Sequence, residues 1–309
     1  MNEYDIQKNT EVDLLEFIKI LWRGKITIIV FFLIASFISV YYSLSLPNKY
    51  QSTILIAPAD SSSLESSISR YSGLAGLAGV SLPSESNQSV VALAVLKSRK
   101  FTENFIDSLD ILIPLMAAKE WSVSEQKLII DDKIYSQSQK KWTRKAEFPK
   151  VAKPSIHEAY DMWRQQVFSI NEDNKTGFAT ITITHQSPLK TKEWASLLID
   201  ELNNHMRDLD IVEAERSIEY LTSEANKTNS EDLKKVLYSL IQSSTEKKML
   251  TYARPEYLFK VIDPPIMPEK KSSPRRSVIC IIGAFLGVLL GSLIVFMMHF
   301  YRQYYKNLS

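Results

Sequence analysis

The groups best equipped for chemistry in this sequence are its carboxylates and its four histidines. Asp200, Glu201, Asp208, Asp210, Glu213, Glu215 and Glu219 crowd one stretch, and paired carboxylates can act as general acid and base. A run of acids on one helix more often marks a solvated face. His157, His185, His205 and His299 are scattered, and His157-Glu158 lacks the second histidine of an H-E-x-x-H metal site. Gly73, Gly76 and Gly79 could suggest a phosphate loop, but no Lys-Ser/Thr pair follows them. They read instead as part of a flexible or tightly packed loop within the serine- and glycine-rich stretch Ser61–Gln88. Lys140, Lys141, Trp142, Arg144, Lys145, Lys150 and Lys153 set an aromatic ring among cations. That pattern fits either contact with anionic glycan or lipid headgroups, or a solvated surface loop. No G-x-S-x-G, Walker A or G-x-G-x-x-G motif occurs. The expectation is a protein without catalytic residues, cofactor or metal, and not an enzyme.

What positions these groups is a membrane frame. From Ser277 to Met298 no charge appears; about 20 apolar residues at ~1.5 Å rise cover a hydrocarbon core roughly 30 Å thick. Ile26–Leu46 is also uncharged, and Ser43-Leu44-Ser45-Leu46-Pro47 is a poor signal-peptidase site. Two transmembrane helices, 26–46 and 277–300, therefore enclose a large polar segment, 47–276. Lys19, Arg23 and Lys25 precede the first span, whereas Lys270, Lys271, Arg275 and Arg276 precede the second against Arg302 and Lys306 after it. The charges conflict, and because long loops translocate largely regardless of charge, both termini are expected inside. Gly283, Gly287 and Gly291 repeat every four residues, as do Ala35, Ser39 and Ser43. Such small-residue stripes allow close helix approach, and both are expected to pack between the spans.

Around this frame the sequence reads in order. Val12–Trp22 has helical spacing of Val12, Leu15, Ile18 and Trp22 and is expected to lie at the interface within the N-terminal segment 1–25. Tyr50–Ala57 is a strand, Ser89–Leu109 helical, and Ala117–Asp161 a mixture of helical pieces and the basic patch. Val167–Asn171 and Phe178–Thr184 form a hairpin. Ser187-Pro188 starts a long helix, with Trp194, Leu198, Leu202, Leu209 and Val212 as an apolar seam for an oligomer partner and His205 a buried polar element on it. Thr228 and Glu231 make a capping box for a second helix, so a helical extension spans about 187–253. After a strand at Tyr257–Ile262 comes a collar, 263–274, whose Pro264, Pro265, Pro268 and Pro274 keep it extended and stiff. A short tail, 301–309, ends the sequence. The fold class is α+β, with an α/β base beside the membrane and a helical extension. With 37 basic and 35 acidic residues, net +2, no nucleic-acid footprint is present, and the single Cys280 permits neither an intramolecular disulfide nor a cysteine metal site.

The terminal spans, the Asp13–Lys25 stretch DLLEFIKILWRGK, GLAGLAGVSL at Gly73–Leu82, ALAVLKSRKF at Ala92–Phe101, the helix start Pro188…Trp194 and the DPPxxPxxxxxP collar at Asp263–Pro274 resemble Wzz-type chain-length determinants. The resemblance covers nearly the whole chain. It implies a polysaccharide co-polymerase of the bacterial inner membrane with a large periplasmic domain. Such a protein forms a homo-oligomer and sets the modal length of lipid-linked glycan, usually O antigen, made by a separate membrane polymerase. With so short a tail, no fused kinase is expected. Capsule, exopolysaccharide or common-antigen glycan are alternative products, and a membrane-anchored extracytoplasmic sensor is an alternative of another class.

Overall fold

The computed structural model describes residues 14–59, 85–173, 175–253 and 256–306. The GLAGLAGVSL stretch, most of the Ser61–Gln88 loop, Val12 and the end of the tail lie outside these residues. The chain forms two units, one from its two ends, up to Asn48 and from Ser272, and one from Lys49–Lys271.

The unit of the two ends is built from helices. α1 (Leu14–Arg23) stops at Gly24 and α2 (Lys25–Ser45) follows directly; the C-terminal helix α9 (Arg276–Lys306) pairs with α2. α2, with mean hydropathy 2.2, and Arg276–Tyr301 of α9, with 2.8, are long and apolar enough to cross a membrane. At Gly24 a side chain is excluded by close approach, since a Cβ there would overlap the Val295 side chain.

The central unit rests on a four-stranded antiparallel sheet. β1 (Tyr50–Pro58), β6 (Phe168–Glu172), β7 (Ala179–His185) and β8 (Phe259–Asp263) take the order β6-β7-β1-β8. Ile54 faces Ile181 and Ser52 faces Ile183 across β1 and β7. In β7, Ala179, Ile181, Ile183 and His185 are buried while the threonines between them are half-buried, the alternation of a sheet with one packed face. That face is covered by α7 (Pro188–Lys227), and the core adds α3 (Glu85–Lys97), α4 (Arg99–Ser108) and α5 (Leu112–Met116). Phe105, Trp163 and Trp194 are its largest fully buried side chains together with Phe259. Ser187 caps α7, accepting the Lys190 N–H, with Pro188 at the first helical position, as the sequence predicts.

Four local expectations are corrected. The helical Ser89–Leu109 is two helices, because Ser98 turns extended and its hydroxyl caps α4 at the Phe101 N–H. Ala117–Asp161 is built largely from short hairpins: β2 (Ala118–Ser122) with β3 (Lys127–Ile130), and β4 (Tyr135–Ser136) with β5 (Lys141–Trp142), leaving α6 (Ile156–Met162) as its helix. The cap of α8 (Glu231–Ala253) is Ser230, whose hydroxyl accepts the Leu233 N–H, while Thr228 closes α7. β8 begins at Phe259, not Tyr257, and the Tyr257 hydroxyl belongs to a polar cluster described below.

Candidate functional site

In the helical unit the small-residue positions of the two apolar helices meet. A Cβ on Gly287 would lie 2.7 Å from the Ala35 Cβ and 2.9 Å from the Phe31 carbonyl oxygen; on Gly291 it would lie 2.9 Å from the Ile28 Cα. Gly283 is against Ser39, whose hydroxyl donates to the Ile279 carbonyl at 2.9 Å. Ser39 and Ser43 are buried. Backbone contact this close gains van der Waals attraction, the main force between helices in a bilayer. At its N-terminal end, Arg276 Nη2 donates to Asn48 Oδ1 at 3.2 Å.

The collar prolines are split between the units. Pro264 to Pro268 carries neither helix nor strand; Pro265 is buried, Pro268 half-buried and Pro264 exposed. Ser52 of β1 donates its hydroxyl to the Ile266 carbonyl at 2.8 Å, tying this run to the sheet. Pro274, half-buried, belongs with the terminal helices.

The expected oligomer seam divides in two. Trp194, Leu198 and Leu202 are at most 2% exposed, buried in their own chain's core with Ile54 and Ile181, so they are unavailable to a partner. Their periodicity records the sheet-facing side of α7. Leu209 and Val212 stand farther along the helix, where α7 leaves the sheet for α8, and remain exposed at 49% and 43%. Tyr220 on α7 and Leu233, Val236, Tyr238 and Leu240 on α8 are exposed too. His205 is half-buried, its ring 5.7 Å from that of Phe101.

Three polar constellations, none anticipated from the sequence, fix the central unit. Asp210, buried on α7, accepts from Lys247 Nζ of α8 at 3.0 Å and from the Tyr257 hydroxyl at 2.6 Å. One residue of the acidic run is therefore a structural acceptor. Asn203, 5% exposed, accepts the Leu258 and Phe259 N–H groups, each at 3.0 Å, and donates to the Phe259 carbonyl. It satisfies an edge of β8 as a neighbouring strand would. His185 accepts the Ser187 N–H on Nδ1 at 3.1 Å, which leaves Nε2 protonated to donate to the Pro114 carbonyl at 2.9 Å. Its ring lies 4.7 Å from that of Trp194, and burial pushes its pKa down to about 4.

The basic patch is not a uniform cation surface. Arg144 makes a fork to both Glu158 oxygens at 2.8 Å, with the pair largely buried. The guanidinium holds the Glu158 carboxyl down to about 2. Glu158 also completes a capping box with Ser155 at the start of α6, so His157-Glu158 belongs to a structural pair. Among the described residues no group of three His, Cys, Asp or Glu side chains is placed to hold a metal ion.

Residues 10–109 match the model of the Wzz family, described as chain length determinant protein; no curated protein matches the chain. A full-length bacterial polysaccharide co-polymerase is similar at 16% identity and TM-score 0.41, covering 95% of this chain and 98% of that one. A fragment of the WzzB polysaccharide co-polymerase from Salmonella Typhimurium reaches 12% and 0.34, covering 73% of this chain and 100% of that one. A mutant of the Shigella flexneri lipopolysaccharide O-antigen chain-length regulator reaches 10% and 0.22, covering 72% of this chain and 100% of that one.

Proposed function

We propose that this chain, whose residues 10–109 match the model of the Wzz family of chain length determinants, regulates polysaccharide chain length, setting the modal length of lipid-linked O antigen made by a separate membrane polymerase. The observation that carries this reading is the family match across the first apolar helix, joined to a second such helix at the other end of the chain. In this proposal the protein is in the bacterial inner membrane with both termini cytoplasmic and the central unit periplasmic. α1 lies at the membrane interface, and the Gly283, Gly287 and Gly291 stripe holds the two spans together. Copies associate through the helical hairpin of α7 and α8, where Leu209, Val212 and the exposed apolar residues of α8 remain for a partner. The collar prolines act as a neck between domain and span. The role is non-enzymatic: the assembly's geometry and its contact with the polymerase decide when elongation stops.

The test is a lipopolysaccharide gel of cells with and without the gene. A modal cluster of bands that collapses to a random ladder on deletion, and returns on complementation, supports O-antigen length control. An unchanged ladder refutes the O-antigen assignment and directs the same comparison to capsule, exopolysaccharide and common-antigen glycan.

A further inference from the structure

A cleft of about 350 Å3 opens where the ends of α4 and α5 meet the β4–β5 hairpin, within the about 300–1,000 Å3 typical of small-ligand sites. Tyr135 and Trp142 are cross-strand neighbours in that hairpin, and their rings meet edge to face at 5.1 Å and 69°. Asp107 and Asp110 reach the cleft from the end of α4 and the turn after it, Lys140 from the hairpin turn and Lys153 from the segment before α6. All four charged side chains are exposed, and none forms a hydrogen bond or ion pair with another described residue. The aliphatic lining comes from Ile106, Leu112, Ile113 and Ile156.

Local turns bring two of these charges to the opening. Asp110, at φ 47°, ends α4 in the left-handed conformation, with the Ile111 N–H donating to the Ile106 carbonyl at 3.2 Å. Lys140, at φ 50°, is the last residue of the β4–β5 turn, the position that Gln126 holds in the β2–β3 hairpin.

The chemistry of the lining selects the ligand class. An aromatic pair offers an apolar face to the C–H side of a pyranose ring. Carboxylates accept from sugar hydroxyls and ammonium groups donate to ring or hydroxyl oxygens. Two aspartates and two lysines leave the opening without net charge, so it lacks the cationic excess that would select a phosphate-bearing lipid headgroup and favours a neutral or zwitterionic sugar. We propose that the Tyr135–Trp142 cleft is a saccharide-binding subsite that holds a sugar unit of the growing glycan on each subunit. The inference rests on the chain-length reading and deepens it, since it gives each subunit of the assembly a direct grip on the polymer.

The experiment uses the full chain in lipid nanodiscs, with the polysaccharide released by mild acid from the parent strain's lipopolysaccharide as the probe, followed by saturation-transfer NMR and titration. Saturation transfer to sugar protons is expected for the wild type. It is lost in Trp142→Ala, and affinity falls at least tenfold in Asp107→Asn/Asp110→Asn, a loss of about 1.4 kcal/mol or more. The double amide variant keeps the side-chain shapes and asparagine tolerates positive φ, so it should melt as the wild type does and separate ligand binding from folding of the hairpin. Lys127→Gln, on the neighbouring β2–β3 hairpin, should bind as the wild type. No transfer in the wild type, or a loss under threefold in the double variant, overturns the proposal. If deletion of the gene collapses the modal bands while the wild type shows no transfer, length control stands and the cleft fails. If the ladder is unchanged while transfer depends on Trp142, the cleft stands and O-antigen length control fails.

Discussion

Lowering the pH from 7.5 to 5.0 should destabilise the central unit through His185. In the fold this imidazole is neutral, with Nδ1 accepting from the Ser187 N–H and Nε2 donating to the Pro114 carbonyl, so a second proton has no acceptor on Nδ1. Its pKa is lowered from 6.5 to about 4, first by burial, against which the Pro114 bond works. A depressed folded pKa means that the unfolded chain binds the proton more readily between about 4 and 6.5. Stability therefore rises with pH across that window: it is full above about 6.5 and declines as pH falls toward 4. At pH 5.0 these two values give a loss of about 2 kcal/mol relative to pH 7.5. For a domain of 150–250 residues that lowers Tm by about 4–8 °C. Glu158 does not confuse the reading, since its carboxyl is depressed from 4.5 to about 2 by Arg144 and its contribution is lost only below that upper value. The assay is thermal unfolding of the full chain in detergent, followed by near-ultraviolet circular dichroism at several pH values, for the wild type and His185→Gln. The variant should be less stable at pH 7.5 and lose about 2 kcal/mol less than the wild type between pH 7.5 and 5.0. Parallel pH profiles for the two proteins would refute the argument.

Two substitutions probe other parts of the molecule. Gly287→Leu drives a side chain into Ala35 and the Phe31 carbonyl; overpacking of this kind costs about 1–3 kcal/mol, and the modal glycan distribution should broaden on a lipopolysaccharide gel, whereas an unchanged ladder at normal expression would count against a role for span packing. Asn203→Ala strips the Leu258 and Phe259 N–H groups and the Phe259 carbonyl of their partner; at about 1–3 kcal/mol for a buried unsatisfied group, chemical unfolding should register a loss of roughly 3 kcal/mol, and a change under 0.5 kcal/mol would show that water replaces the amide.

Features with local causes were legible in the sequence. The two apolar helices, the alternation at Tyr50–Ala57, the Val167–Thr184 hairpin and the Ser187-Pro188 start are set by neighbours a few residues apart; the strands and the helix start stand within a residue or two, while the second apolar helix runs on to Lys306. Part of the seam departs from expectation because an apolar stripe states which face of a helix is covered and not by what: Trp194, Leu198 and Leu202 meet their own sheet, whereas Leu209 and Val212 stay exposed. The β4–β5 hairpin, two residues a side, is too short for alternation to emerge, and its lysines disguised it as solvated loop. Tyr135 and Trp142 therefore drew no attention as a pair. The Asp210–Lys247–Tyr257 and Arg144–Glu158 clusters join residues far apart in sequence, and no spacing rule could have brought them together.

The sheet order also constrains how the protein is made. Its central strand, β1, follows the first span, yet its partners β7 and β8 are encoded far downstream, and the Ser52–Ile266 bond closes a separation of 214 residues. At about 5–20 residues per second, a ribosome takes roughly 10–40 s to reach β8 after β1 has emerged. Throughout that interval the edge of β1 that β8 covers is unpaired, on a strand that carries Ile54, Leu55 and Ile56, the kind of surface that pairs with the wrong chain. Nascent copies are thus most vulnerable to one another before either has finished, and a holding chaperone that acts during synthesis would guard that interval.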